Sequence, residues 1–178
     1  MAEKAPASQQ VYCGRVVKLR VDTVKLASGR QAKLEIVEHS DCVAIVAIDG
    51  DDNVLLVKQF RQPAEKELLE IPAGGIEVGE DSLATVQREL GEETGYRAKK
   101  VKWLGGFYAA PGYCTEYLHL YLATELIPNQ LIAEDTEEIE VVRVALSQIP
   151  ELIASGAICD AKSIAGLLIF LTLKTTRS

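Results

Sequence analysis

Two apolar runs, VAIVAID (residues 43–49) and VLLVKQF (54–60), flank the turn GDDN. A strand with one wet face alternates apolar and polar side chains, and these two hardly alternate. Both of their faces therefore need cover, which places them inside a sheet with further layers on each side. The Gly, Asp and Asn of the turn have the chemistry that closes a tight hairpin. Any fold for this chain must be built around that buried pair.

The remaining elements fit such a layered α/β or α+β sandwich. Residues 1–10 read as a disordered tail. Val11 to about Leu26 alternates and is expected as one strand. After the turn ASGR it pairs with a strand through Leu34, Ile36 and Val37, so that residues 11–40 form an N-terminal β arm on a core of 41–178. LLEIPAGG is a short strand ending in Pro72 and two glycines. A helix is expected over Ser82 to Thr94, capped by Asp81 and stopped by Gly95. Strands follow at VKWLGGFYA, YLHLYLATEL and IEVVRVAL, and helices at SQIPELIASG and DAKSIAGLLIFLTLK. The apolar run SIAGLLIFLTL is too short to span a bilayer and reads as a buried helix.

Charge and cysteine usage narrow the function classes. Of 178 residues, 48% are apolar and 25% charged, enough to build a core without disulfide staples. A net charge of −7 argues against general nucleic-acid or anionic-membrane partners. It also means that a phosphorylated substrate needs a cation between itself and the protein. Cys13, Cys42, Cys114 and Cys159 lie far apart, and His39 and His119 are isolated, so zinc-site spacing is lacking. The cysteines read as reduced thiols of a cytoplasmic protein. The segment MAEKAPASQQ lacks the apolar stretch of a signal peptide.

The segment GGIEVGEDSLATVQRELGEETGY (74–96) raises a conflict. On a helical wheel Leu83, Val86 and Leu90 form a core-facing stripe, and Glu89, Glu92 and Glu93 share the adjacent face. Like charges at that spacing repel, and they sit in the last two turns, where the helix dipole disfavours anions. A solvated acidic face would not need this arrangement. A divalent cation would relieve both problems. Mg²⁺ takes oxygen ligands and keeps waters and substrate phosphates in its shell, so it would also bridge an acidic protein to an anionic substrate.

The spacing of this segment resembles the Nudix box. From Gly74 there are five residues to Glu80, seven to Arg88-Glu89-Leu90, one to Glu92-Glu93, and one to Gly95-Tyr96. Every fixed polar and glycine position is filled, and Tyr96 stands where an aliphatic residue is usual. The resemblance implies an α/β/α sandwich with a mixed sheet. It also implies hydrolysis of a nucleoside diphosphate linked to another group, with Mg²⁺ or, in its place, Mn²⁺. Carried over by position, Glu89 and Glu93 would be the principal metal ligands, with Glu92 and the main-chain carbonyl of Ala73 as further ones. Glu80 would support the site and Arg88 would orient the ligand carboxylates. Gly74 and Gly75 would let the loop bend, and Gly95 would end the helix.

Other stretches resemble the ADP-ribose pyrophosphatases of that family: QFRQPAEKELLEIPAGG, Pro111 sixteen residues past Gly95 in AAPGYCTE, EEIEVVRV and GAICDAKSIAGLL. Together they cover roughly residues 11 to 172. The resemblance implies that ADP-ribose is cleaved to AMP and ribose 5-phosphate by a homodimer whose arm helps build the pocket. It implies substrate contacts from Arg61, Glu70, Pro111 and Glu116. Each has a plainer reading: a surface arginine, an edge-strand carboxylate, a Pro-Gly turn, a loop acid. Relatives often carry the base that activates water on the loop before the last core strand. Here Glu137 aligns best, with Glu134, Asp135 and Glu138 as competitors. GDP-mannose or NADH would be the alternative substrates, and a nucleotide-binding regulator without turnover the alternative class.

Overall fold

The computed structural model describes residues 7–129, 131 and 139–176. The chain forms two compact units: Met1–Asp41 with Tyr108–Tyr117, and Cys42–Phe107 with Leu118–Ser178.

The first unit is an antiparallel sheet of β1 (Ala7–Cys13), β2 (Lys18–Lys25) and β3 (Gln31–Glu38), in that order. The alternation from Val11 to Leu26, expected as one strand, is broken. Gly14 donates its N–H to the Val17 carbonyl at 2.9 Å, and the chain reverses there. Strand β1 also begins at Ala7, inside the segment expected as a tail, because Ala7 pairs with Thr23 of β2. Ladder bonds are main-chain bonds, so a polar stretch can join a sheet when its partner strand is long enough. The loop 108–117 belongs to the same unit. Val37 donates to the Tyr113 carbonyl at 2.8 Å, and Thr115 donates to the Val37 carbonyl at 3.0 Å.

The second unit holds β4 (Cys42–Ile48), β5 (Asn53–Arg61), β6 (Lys66–Glu70), β7 (Ala73–Gly75), β8 (Tyr96–Tyr108), β9 (Tyr117–Pro128) and β10 (Glu140–Ala145). The path runs β10-β5-β4-β9-β8, with β6 on β5 and β7 on β4. Strand β4 is parallel to β9 and antiparallel to β5, which makes the sheet mixed, as the sequence implied. The GDDN turn is tied by Asp49, whose carboxylate accepts the N–H groups of Asp51 and Asn53 at 2.9 Å each.

The helices α1 (Ser82–Thr94), α2 (Ile149–Ala154) and α3 (Ala161–Thr175) cover the two faces. All seven residues of β4 are buried. Its even-numbered members, from Cys42 to Ile48, share a core with Ile149, Ile158, Leu167 and Phe170. Val43, Ile45 and Ala47 share the opposite core with Val86 and Leu90 of α1. The run VAIVAID is thus continuous because each neighbour feeds a different core. Helix α3 departs from expectation: Ser163, Gly166, Leu167 and Phe170 are buried, whereas Leu168 is 44% exposed, so one face is buried rather than the whole helix. No helix among the described residues is long and apolar enough to cross a membrane.

Candidate active site

Helix α1 has the boundaries its capping residues dictate. The Asp81 carboxylate accepts the N–H groups of Leu83 and Ala84 at 2.9 Å each. Gly95 closes the helix in the left-handed region, φ 74°, where other residues are strained. The buried face is Thr85, Val86, Glu89, Leu90, Gly91 and Thr94. Leu83, expected in the core stripe, is 52% exposed. It lies in the first turn, before the helix meets the apolar core at Val86.

The acids expected at the end of α1 divide into two groups. Arg88 serves one of them with four of its five N–H donors. Its Nε and Nη2 donate to the two oxygens of Glu80 at 3.1 Å each. Nη1 donates to Glu89 at 2.7 Å and to Glu92 at 3.0 Å, and Nη2 also donates to the Gly75 carbonyl at 2.9 Å. Glu80 additionally accepts from the Thr85 hydroxyl at 2.8 Å. These bonds to Arg88 hold the Glu80 carboxyl below its usual range, even against partial burial. Gly74 leaves room for Glu89: a Cβ there would lie 1.9 Å from its Oε1. Any side chain at position 74 would displace that carboxylate.

Glu93 stands apart. It accepts one hydrogen bond, from the Ala73 N–H at 3.0 Å, and among the described residues it has no ion-pair partner. Loss of hydration pushes its carboxyl up to about 8; the Ala73 N–H, Lys162 and Arg61 oppose this, and the charge of Glu89 adds to it. Burial also raises Glu89, with Arg88 opposing and Glu92 and Glu80 adding. The two groups hold negative charge that protein cations do not fully balance, and every donor is a hard oxygen. That donor set fits a divalent cation such as Mg²⁺. Glu89, Glu92 and Glu93 are not gathered within 4.8 Å of one another as a closed ligand set. Glu89 and Glu92 turn toward Arg88 instead.

The NUDIX domain model matches residues 38–167, which include the whole acidic helix and its glycine loop. This chain belongs to the Nudix family. Nudix hydrolases generally use a divalent metal ion, in keeping with the donor set of α1. The chain is 40% identical to the ADP-ribose pyrophosphatase of Bacillus subtilis (strain 168), over 92% of this chain and 89% of that protein. It is also 40% identical to the methanol dehydrogenase activator of Bacillus methanolicus, over 91% of this chain and 89% of that one. A crystal structure of an ADP compounds hydrolase shares the fold, with a TM-score of 0.88, 22% identity, and coverage of 97% of this chain and 94% of that one.

In this Nudix protein Arg61 and Glu70 meet across the paired strands β5 and β6. Arg61 Nε donates to both oxygens of Glu70 at 3.2 Å, and Nη2 donates at 2.6 Å. The sequence reading missed their third member. Lys162 Nζ donates to Glu70 at 2.7 Å and to Asp160 at 3.0 Å. Burial works to raise the Glu70 carboxyl, but Arg61 and Lys162 outweigh it and hold the group low. Lys162 lies 92 positions from Glu70, within GAICDAKSIAGLL, and nothing in local spacing joins the two. Pro111 and Glu116 lie in the first unit, where the Glu116 main-chain carbonyl accepts from Ala109 at 3.1 Å. Glu134, Asp135, Glu137 and Glu138 lie outside the described residues.

Proposed function

We propose that the chain is a Mg²⁺-dependent hydrolase of nucleoside diphosphate sugars, with Mn²⁺ able to substitute, and that ADP-ribose is its main substrate, split to AMP and ribose 5-phosphate. The observation that carries this reading is Glu93, a carboxyl without an ion-pair partner among the described residues, beside Glu89 and Glu92 on one helix. The Bacillus subtilis relative, an ADP-ribose pyrophosphatase, supports the choice of substrate.

Glu89 and Glu93 are then the principal metal ligands, with Glu92 and the Ala73 carbonyl beside them. A bound divalent cation supplies positive charge to the diphosphate and lowers the pKa of water. Arg88, fixed by Glu80, keeps Glu89 and Glu92 aimed and limits their mutual repulsion. Arg61 offers a guanidinium to an anionic substrate on a chain of net charge −7. Glu137 takes the proton from the attacking water, with Glu134, Asp135 and Glu138 as alternatives. Just before that stretch, after β9, the chain lies against the end of α1: Asn129 donates to the Gly95 carbonyl at 2.8 Å, and Leu131 to the Gly91 carbonyl at 3.2 Å.

Residues 11–40 act as a dimerising arm and 41–178 as the catalytic domain, with Pro111 and Glu116 serving the pocket. Exposed Val11, Tyr12, Val16 and Leu34 on the arm favour a homodimer. The free cysteines favour a cytoplasmic location, and the acidic charge disfavours nucleic-acid or membrane partners.

A turnover panel with Mg²⁺, covering ADP-ribose, GDP-mannose, NADH, diadenosine polyphosphates and nucleoside triphosphates, tests the reading. ADP-ribose is expected to give the highest kcat/KM; triphosphates in that place would overturn the substrate assignment. A second reading, a regulator of another enzyme, draws on the relative named as a methanol dehydrogenase activator. Binding of nucleotides with no turnover under any metal would favour it.

A further inference from the structure

The first turn of α3 grips Glu70 from two directions. Asp160 caps the helix by accepting the Ser163 N–H at 3.1 Å on Oδ1, the same oxygen that receives Lys162. The Ser163 hydroxyl accepts the Ile71 N–H at 2.8 Å, pinning the backbone next to Glu70. Glu70 itself is 2% exposed. Its carboxylate can relax only by losing Lys162 or Arg61, since protein surrounds it. Arg61 is the open end of the chain of contacts. Its side chain is 39% exposed, and its Nη1 makes no hydrogen bond among the described residues. The charges of Arg61 and Lys162 both reach Glu93, so the network borders the acidic end of α1.

We propose that Lys162 is a positioning residue: by fixing Glu70 it fixes Arg61, so that the free edge of the guanidinium meets the anionic diphosphate sugar. Lys162 bridges two carboxylates, Glu70 and Asp160. Without it they repel, and the Glu70 oxygens swing away from the geometry that grips Arg61 at two nitrogens. Arg61 then samples many rotamers, and substrate binding must order it. The proposal rests on the reading that Arg61 contacts substrate.

The test is steady-state hydrolysis of ADP-ribose with saturating Mg²⁺ by Arg61→Ala, Lys162→Met, Lys162→Arg and the Arg61→Ala/Lys162→Met double variant, each checked by thermal melting. Arg61→Ala is expected to raise KM by about tenfold or more, and Lys162→Met by about fivefold with kcat changed less than about twofold. Lys162→Arg recovers most of the loss, because it restores a cation between the carboxylates. The double variant matches Arg61→Ala alone within about twofold, since the relay has nothing left to position. If Arg61→Ala raises KM but Lys162→Met does not, or their effects multiply, the relay is overturned. If Arg61→Ala leaves KM unchanged, the reading of Arg61 falls and the relay with it. Should Lys162→Met fail to fold, Lys162→Gln, which keeps a hydrogen-bond donor without the charge, replaces it in the same cycle and is judged by the same outcomes.

Discussion

Glu70 and Glu93 are two carboxylates in one unit, and their contrast separates an acid paired with protein cations from one that has no ion-pair partner among the described residues. Glu70 is the more deeply enclosed by surface area, 2% exposed, yet its carboxyl is held low. Glu93 is only partly enclosed by that measure, and its carboxyl is pushed up to about 8. Loss of hydration acts upward on both carboxyls, so what separates them is their partners. Glu70 has Arg61 and Lys162 in direct contact, whereas Glu93 has one main-chain N–H and a like-charged neighbour. On the proposed reading, a desolvated carboxylate with cations of its own is satisfied within the protein, while Glu93 would take its cation from outside.

Glu93→Gln breaks the contrast most strongly. On the proposed reading, turnover of ADP-ribose should fall about a thousandfold, because the group lost is a ligand of the cation that would offset charge developing on the diphosphate. The melting temperature of the metal-free protein should hold or rise near neutral pH, because Gln removes the cost of keeping a proton on, or a charge in, that desolvated place. Assay and melting curve on one preparation check both.

Glu70→Gln should do the reverse to stability. It leaves Arg61 and Lys162 without their shared anion, at a cost of about 2–3 kcal/mol by urea unfolding; the figure is below that for a fully buried pair because the Arg61 side chain is 39% exposed.

Stability against pH sharpens the comparison with smaller effects of opposite sign. The Glu93 carboxyl rises from its ordinary 4.5 to about 8 on folding. Between those values the folded chain keeps a proton that the unfolded chain releases. Its contribution is complete below about 4.5 and is lost as pH rises through about 8. The Glu70 carboxyl is lowered, so its contribution is present above its ordinary 4.5 and is lost as pH falls through its folded value. Urea midpoints of metal-free protein should decline from mildly acidic to mildly alkaline pH, and Glu93→Gln should flatten that decline. Glu70→Gln should instead flatten the loss on the acid side.

The parts legible in the sequence were those whose cause is local. The buried hairpin followed from VAIVAID and VLLVKQF, since unbroken apolar runs need two covered faces. The limits of α1 followed from Asp81 and Gly95, a cap and a left-handed stop. The conflict among Glu89, Glu92 and Glu93 was visible because helical spacing alone brings them together. The role of Arg88 was legible only through the Nudix resemblance: helical spacing accounts for its bond to Glu92, whereas Glu80 and the Gly75 carbonyl reach it from the loop. What was not legible depends on distant partners. Strand β1 starts at Ala7 because β2 extends beside it, and Leu83 is exposed because the core contact begins one turn later. Lys162 reaches Glu70 only because α3 packs its first turn beside β6, and no local pattern announces that meeting.

The most direct test is Mn²⁺ binding to the metal-free protein, followed by the loss of the free-ion electron paramagnetic resonance signal in wild type and Glu93→Gln. The wild type should bind the ion, with proton release below about pH 8 as Glu93 ionises, and Glu93→Gln should lose at least about tenfold in affinity while remaining folded. Equal binding by the two proteins, with no proton release in either, would contradict the assignment of Glu93 as the acid that waits for a metal.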